Sequence, residues 1–406
     1  MKNIACLPKI FLFLPKKVSS LPHLYYFNPT CELAVANGSP HYTAPQHLCR
    51  FESSLTPLMA VFCLPGDFIL TEKKPSEKFQ LLMQEYHIST AKYLTFDELN
   101  GNISASIPVI PWGKSPAASY RLKQAGCTLD WSDQLKVLYS RISSLDFLTN
   151  FLRNNPLSDY PSVRELPVTV SKISRIEALM RNWGQVVLKA PYSSSGRGLL
   201  VLRKQQLNIS NRQWIDATLK QQQLLTAERW LDKTVDLSFQ FKREADGNFN
   251  FLGYTFFTTN TNGQYQGHLL HQFPITEEQQ ALLETTGRQL SQALDQSIYA
   301  LHEGFLGIDA LFYRTATGQK LFPCLEINSR MNMGILSMKL EKLIHPDARG
   351  TFHIYYHPRG SFQQFIKEAE IGCPRIKKDE KLRKGILPLT DYESSDTLFG
   401  AYLQLP

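Results

Sequence analysis

The chain has 406 residues, 43% of them hydrophobic, which is more than one hydrophobic core supports, so two or three domains are expected. The formal net charge of +8 fits nucleic acid, an anionic surface or phosphorylated ligands, and no apolar run approaches the roughly 18 residues that span a membrane. Seven scattered cysteines without a C-x-x-C pair exclude a dithiol or zinc-ribbon site and favour reduced thiols in the cytoplasm.

Strands and helices are predicted to alternate over residues 1–130. Strands are expected at 24–27, 67–70 and 108–112, and a helix at 76–86. Alternation of this kind predicts a small N-terminal α/β domain with a mostly parallel sheet.

Residues 131–225 are predicted to form a second domain. Its key feature is an apolar run at 186–190 that ends in a loop of small residues and is followed by a second apolar run at 199–202. Lys189 closes the first run, and the loop contains Ser195, Gly196 and Gly198. A cation on a rigid strand beside such a loop can bind phosphate oxygens, although a simple hairpin turn is an equally good explanation of the loop alone.

Residues 226–350 carry antiparallel signals, and residues 351–406 are assigned to a C-terminal extension. The predicted elements are strands at 235–243, 248–258 and 265–271, a helix at 276–300, and strands at 305–313 and 320–327. Asp246-Gly247 and Asn262-Gly263 favour the positive backbone angles of tight hairpins between the first three strands.

Three oxygen-bearing side chains are expected to meet on the last two of these strands. Glu326 and Asn328 are two residues apart and therefore point to one face, and Asp309 on the neighbouring strand can face them. Such a set suits Mg²⁺, or Mn²⁺ in its place. Arg330 extends the same line and could clamp a transferring phosphoryl group. The alternative is a group of surface carboxylates, but the apolar run 323–327 argues against it because an unpaired charge there would be costly.

Other polar residues have weaker patterns. Glu32, Asn37 and Tyr42 follow the first strand, where they could line a substrate site or simply form turns. His268 and His271 are separated by an odd number of residues on a strand, so they are not expected to share a metal ion. The basic stretch at 375–384 is interpreted as a solvated segment, since no aromatic residues alternate with its charges.

Four blocks together resemble the ATP-grasp superfamily, in that family's order. They are residues 187–190 with the loop to Gly198, residues 228–231, residues 307–310, and the E-x-N-x-R sequence at 326–330. The resemblance covers about residues 131–335 and implies an α/β ATP-grasp fold, with residues 131–225 as the lid, residues 226–350 as the larger subdomain, and a small α/β domain before them.

The resemblance also implies a role for each residue of these blocks. Lys189 would bind nucleotide phosphates together with Arg141, which stands where the family usually has a second lysine. The loop that closes over the phosphates would contain Ser195, Gly196 and Gly198. The adenine would be bound at Glu228, Trp230 and Leu231, and the ribose at Asp236. Mg²⁺ would be bound by Asp309, Glu326 and Asn328, with Lys189 and Arg330 as the catalytic cations.

The implied activity is that of a carboxylate–amine ligase that uses ATP to form a carbon–nitrogen bond. Its partners would be a small-molecule carboxylate and an amine, without nucleic acid or membrane, and a homodimer is compatible with this family. Two alternatives stay open: a non-catalytic ATP-binding sensor or scaffold, and an enzyme that stops at phosphorylation.

Overall fold

The structure is a computed structural model that describes residues 21–88, 91–99, 107–193, 198–204, 206–244, 246–394 and 397–406. Ser195 and Gly196, which are assigned above to a phosphate-binding loop, lie outside the described residues. The described part of the chain contains three β-sheets, each with helices along it.

The first sheet has four strands in the order β3-β2-β1-β4, and all of its pairs are parallel. Its elements are β1 Leu24–Tyr26, α1 Cys31–Asn37, α2 Gln46–Leu55, β2 Phe68–Leu70, α3 Glu77–Glu85, β3 Lys92–Leu94, α4 Phe96–Leu99, β4 Val109–Pro111 and α5 Pro116–Gln124. Serine side chains cap two of the helices, because Ser76 accepts from the Phe79 amide and Ser115 from the Ala118 amide. The parallel pairing agrees with the alternation of strands and helices in the sequence.

The second sheet has four antiparallel strands in the order β5-β8-β6-β7. The elements of this region are α6 Arg141–Asn154, β5 Val168–Val170, α7 Ile173–Trp183, β6 Val186–Lys189, β7 Leu199–Leu202, α8 Ile209–Gln222 and β8 Leu225–Arg229. The apolar face of the sheet packs on α7 and α8 in a core that includes Ile176, Leu188 and Ile215. Lys189 ends β6 and pairs with Leu199 across the hairpin.

The third sheet has nine strands in the order β13-β12-β9-β10-β11-β14-β17-β16-β15. Its elements are β9 Lys233–Arg243, β10 Phe249–Thr259, β11 Tyr265–Leu270, α9 Glu277–Asp295, β12 Gly304–Thr315, β13 Gly318–Asn328, α10 Met333–Leu340, β14 Gly350–Tyr356, α11 Phe362–Gly372, β15 Ile376–Lys378, β16 Lys381–Pro388 and β17 Phe399–Leu405. The predicted helix at 276–300 is shorter than expected: α9 stops at Asp295 and a separate 3-10 turn follows at Ile298–Leu301.

The proposed division of the chain into four segments remains a prediction. Two of the sheets contain strands from both sides of a proposed boundary. Strand β8 belongs to the second sheet, although the expected boundary lies at 225/226. The four strands after residue 349 extend the nine-stranded sheet beyond β11. These strands also share one hydrophobic core with the first sheet, through residues such as Phe27, Trp112 and Leu403. The end of β1 is thereby held close to the nine-stranded sheet.

The described ranges contain neither a disulfide nor a helix that could cross a membrane. All six described cysteines are free thiols. Within those same ranges, none of the helices combines the length and the apolar character that crossing a lipid bilayer demands.

Candidate active site

The structure brings the three residues predicted as metal ligands together. Asp309 on β12 lies directly opposite Glu326 on β13 in the antiparallel register. Asn328 is two residues further along β13, on the same face, and its Nδ2 donates to Oδ2 of Asp309 over 3.1 Å. The predicted convergence of two carboxylates and one amide is thus present in the structure.

Electrostatics at this cluster fit a divalent cation. Burial and the neighbouring charge of Glu326 raise the pKa of Asp309 to about 6, although hydrogen bonds from Ser238 and Asn328 oppose the increase. In the described part of the chain no group of three or more His, Cys, Asp and Glu side chains could hold a metal ion. The predicted ligands Asp309, Glu326 and Asn328 are two carboxylates and one amide. Oxygen ligands of this kind suit Mg²⁺, which completes its coordination with water and phosphate oxygens.

Arg141 connects this cluster to the turn after β6. Its Nη2 lies 2.7 Å from Oε1 and 2.9 Å from Oε2 of Glu326. Its Nη1 donates to the Ala190 carbonyl over 2.7 Å and to the Ser193 hydroxyl, and its backbone amide donates to the Pro191 carbonyl over 2.9 Å. One buried guanidinium thus joins the start of α6, the second sheet and the metal-ligand strand.

Lys189 forms its own ion pair within the second sheet. Its Nζ lies 2.7 Å from Oε2 of Glu228 on the neighbouring strand β8, and both side chains are largely buried. Burial, followed by the charges of Asp309 and Glu326, raises the pKa of the Cys324 thiol, while Lys189 lowers it. The carboxylates and Lys189 therefore act in opposite directions on this one thiol of β13.

Each of the three guanidinium nitrogens of Arg330 donates a hydrogen bond. Its Nε donates to Oε1 of Glu32 over 2.9 Å, its Nη2 to Oδ1 of Asn328 over 2.8 Å, and its Nη1 to the Met331 carbonyl over 3.1 Å. Glu32 stands at the start of α1, just after the first strand, and burial raises its pKa. The predicted catalytic arginine therefore ties the first sheet to the E-x-N-x-R strand.

Three of the residues assigned to the nucleoside, Trp230, Leu231 and Asp236, follow β8, the strand of the second sheet that carries Glu228. The Trp230 amide donates to the Gln185 carbonyl over 3.3 Å, and Leu231 accepts from the Lys233 amide over 2.9 Å. Asp236 accepts from Lys233 Nζ over 2.7 Å and from Thr259 Oγ1 over 2.8 Å. On β9, Asp236 shares a face with Ser238, whose strand partner is Asp309, so it faces the same side as the metal ligands.

Gly198 and Ser193 form a close contact that sequence reasoning missed. A Cβ added to Gly198 would lie 2.1 Å from the Ser193 hydroxyl oxygen, so only glycine fits there without displacing Ser193. Ser193 is also a partner of Arg141. Its only sequence signal is its position at the start of the run of three serines after Tyr192.

Three further sequence candidates, His268, His271 and Asn37, make their described hydrogen bonds with residues outside the cluster. His268 is buried beside the Tyr265 hydroxyl, 2.6 Å from Nδ1, and burial lowers its pKa to about 3. His271 follows β11 and its Nδ1 lies 3.1 Å from the Ala348 carbonyl, so the two histidines have separate partners. Asn37 accepts from the Ser39 amide over 3.2 Å, which is ordinary turn chemistry.

Tyr42 and the basic stretch at 375–384 were also predicted to lie in loop or solvated segments. Tyr42 follows the same turn, with its amide 3.2 Å from the Ser39 carbonyl. The basic stretch at 375–384 forms the exposed hairpin of β15 and β16, in which Lys377 lies over the Tyr86 ring. Most of the stretch is exposed, as its charge pattern predicts, but it forms two strands and not the helix or loop that was expected.

Comparisons with known proteins complete the description. No family model matches the chain, and no curated protein matches it. Among solved structures, biotin carboxylase from Campylobacter jejuni in complex with β,γ-ATP has a TM-score of 0.54 at 10% identity, covering 94% of this chain and 87% of that one. The biotin carboxylase domain of 2-oxoglutarate carboxylase from Hydrogenobacter thermophilus, crystallised with MgADP, ADP and bicarbonate, has a TM-score of 0.51 at 13% identity, covering 94% and 86%. An N5-carboxyaminoimidazole ribonucleotide synthetase in its ADP complex has a TM-score of 0.50 at 13% identity, covering 95% and 93%. These likenesses show that the chain has the ATP-grasp fold that its sequence resembles.

Proposed function

We propose that this protein is an ATP-dependent ligase that activates a small carboxylate as an acylphosphate and joins it to an amine. The observation that carries the proposal is the contact of Arg141 with Glu326 on one side and with Ala190 on the other. This contact joins the second sheet, at the residue after Lys189, to Glu326 on β13, and it supports a nucleotide site between the two. Simple nucleotide binding would not require this full set of cations and metal ligands.

ATP would bind between the second and the nine-stranded sheets. Lys189 and Arg141 would bind its phosphates in exchange for their ion pairs with Glu228 and Glu326. Glu228, Trp230 and Leu231 would hold the adenine, and Asp236 the ribose. Gly198 would belong to the loop over the phosphates, with Ser195 and Gly196.

Asp309, Glu326 and Asn328 would hold Mg²⁺, which neutralises charge on the phosphates when bound. A carboxylate oxygen of the substrate attacks the γ-phosphorus, the bond to the bridging oxygen breaks, and ADP leaves. The amine nitrogen then attacks the acyl carbon, loses a proton and displaces phosphate, so that a carbon–nitrogen bond forms. Lys189 and Arg141 stabilise the charge that develops during phosphoryl transfer, and closure of the lid keeps water from the acylphosphate.

The test is ADP release from Mg-ATP with pairs drawn from a panel of amino acids and small carboxylic acids. We expect one or more pairs to stimulate release, together with free phosphate, and Glu326→Gln to abolish it while the fold is kept. Near-normal turnover in Glu326→Gln would overturn the metal assignment. ATP binding without any stimulated release would favour the sensor, and a phosphorylated product without free phosphate would favour an enzyme that stops at phosphorylation.

A further inference from the structure

One carboxylate oxygen at the edge of the proposed active site has no partner. Glu32 stands at the start of α1, just beyond the carboxyl end of β1, and its side chain is 5% exposed. Oε1 accepts from Arg330, whereas Oε2 is closed to solvent and accepts from no described residue. Because a buried carboxylate oxygen without a donor is costly, Oε2 is a site that a ligand donor would stabilise.

A short chain of hydrogen bonds connects Glu32 to the predicted metal ligands. Arg330 donates to Oε1 of Glu32 and to Asn328, so one side chain separates Glu32 from a predicted metal ligand, and Asn328 in turn donates to Asp309. The charges of Glu326 and Arg141 also act on the Glu32 carboxyl group. Glu32 therefore belongs to the same electrostatic centre as the metal ligands, although it comes from a different sheet.

The topology of the first sheet puts Glu32 where a ligand can enter. Strands β2 and β3 lie on one side of β1, and β4 lies on the other, so the strand order reverses between β1 and β4. Open α/β sheets bind ligands in the crevice at the carboxyl ends of two such strands. Asn28 after β1 and Gly113 after β4 exchange two hydrogen bonds of 2.8 and 3.2 Å across this crevice, and Gly113 lies beside Arg330, the partner of Glu32.

Of the reactants in the proposed function, only the amine complements Glu32. The phosphates of ATP and the substrate carboxylate are anions that a buried carboxylate repels, whereas an amine supplies N–H donors. We propose that Oε2 of Glu32 binds an N–H group of the amine substrate, so that the acceptor is a primary or secondary amine entering between β1 and β4. Since Oε2 is closed off here, entry requires the contact between Glu32 and Arg330 to loosen. This inference depends on the proposed function.

The test uses Mg²⁺ and a non-hydrolysable ATP analogue to saturate the full-length chain, followed by ligand-observed NMR with paired amines. Glycine is compared with N,N,N-trimethylglycine, and ethanolamine with choline. The second member of each pair keeps the positive charge and the rest of the molecule, but methyl groups replace its N–H hydrogens, so its nitrogen cannot donate a hydrogen bond. Glu32→Gln keeps an oxygen for Arg330 and places an amide donor where Oε2 stood. Glu52→Gln is the matched control, since Glu52 accepts from Thr30 in the same region and has no contact with Arg330.

We expect an amine with N–H groups to bind the wild-type chain, its trimethylated partner not to bind, and Glu32→Gln to weaken binding at least about tenfold. Glu52→Gln should leave that affinity within about twofold, well below the effect of one charged hydrogen bond. Equal binding to wild type and Glu32→Gln, equal binding of both members of a pair, or no amine binding at all would overturn the inference. The ATP analogue separates the two proposals: if it binds normally in these experiments, the proposed function survives the failure, and if it does not bind, both fail.

Discussion

Nη2 of Arg141 lies 2.7 Å from Oε1 and 2.9 Å from Oε2 of Glu326, so a single nitrogen spans both oxygens of that carboxylate. A metal ion bound by Glu326 would have to compete for these same oxygens. Nucleotide phosphates offer Arg141 another partner, and the proposed binding of ATP and of Mg²⁺ would therefore favour each other. The following predictions test the contacts on which this exchange depends.

Replacing Arg141 with Met should destabilise the chain and make its stability depend more on Mg²⁺. The change leaves Glu326 without its counter-ion and the Ala190 carbonyl without a donor, which should cost about 3 kcal/mol of unfolding free energy. Added Mg²⁺ should recover more of this loss in the variant than it adds to the wild type, because no guanidinium then occupies the carboxylate. Urea unfolding with and without Mg²⁺ measures both effects.

Arg212→Met is the control for that experiment. Arg212 on α8 pairs with Glu177 on α7 over 2.7 Å, where their side chains are 48% and 33% exposed. Its loss should cost less than about 1 kcal/mol, independently of Mg²⁺. Identical Mg²⁺ stabilisation of Arg141→Met and of the wild type would contradict competition for Glu326.

Asp309→Asn should change the pH dependence of stability in the metal-free chain. The pKa of Asp309 is raised from 3.8 to about 6, so its native form is stabilised by protonation below pH 4 and loses that contribution as the pH rises through about 6. The asparagine has no such loss. We therefore expect the variant to be more stable than the wild type above pH 7, by on the order of 2 kcal/mol, with the difference shrinking towards pH 4.

Chemical unfolding between pH 4 and 8, in the presence of a chelator, measures this difference. Asp232→Asn is the control, because Asp232 is an exposed partner of Arg314 and has no contact with the carboxylate pair. A constant difference between Asp309→Asn and the wild type across this range would rule out the predicted ionisation of Asp309.

Local sequence signals predicted those parts of the fold that local interactions determine. The hairpins at Gly247 and Gly263 have φ angles of 86° and 77°, which is why glycine marks them in the sequence. The hairpin between β12 and β13 is also local, so the pairing of Asp309 with Glu326 followed from strand periodicity and a short turn. The core of the candidate site was predictable for this reason.

Contacts between distant segments could not be predicted in this way. Arg330 and Glu32 are 298 residues apart, and nothing near either residue indicates that they pair. The same is true of β14, which extends the nine-stranded sheet by pairing with β11 across α9, β12, β13 and α10. Period-two patterns identify strands, but the order of strands in a sheet depends on long-range packing.

Lys189 and Glu228 should behave as an energetically coupled pair. Their charged atoms lie 2.7 Å apart, and their side chains are 11% and 14% exposed, so removal of either partner leaves a buried charge unpaired. Lys189→Met and Glu228→Gln should each destabilise the chain, and the double variant should lose less than the sum, with a coupling of about 1–3 kcal/mol.

The same variants separate stability from nucleotide binding. Lys189→Met should weaken binding of a non-hydrolysable ATP analogue at least about tenfold, and adding Glu228→Gln should restore stability without restoring affinity. Calorimetric titration gives the affinity, and urea unfolding gives the double-mutant cycle. Additive stability losses would show that the two side chains do not interact in solution.

Gly198→Ala should weaken the site through Ser193 without touching any charged group. The new Cβ would lie 2.1 Å from Oγ and 2.3 Å from Cβ of Ser193, and 3.1 Å from Cβ of Ala190, so Ser193 must move away from Arg141. A forced shift of this kind should cost about 1–3 kcal/mol of unfolding free energy and lower ATP affinity as well. Gly372→Ala at the end of α11 has no heavy atom within 4 Å of the added Cβ and should be neutral or stabilising by up to about 1 kcal/mol. If Gly198→Ala proved as harmless as Gly372→Ala, Gly198 would not be packed against Ser193. The link from Gly198 through Ser193 and Arg141 to Glu326 would then have no structural basis.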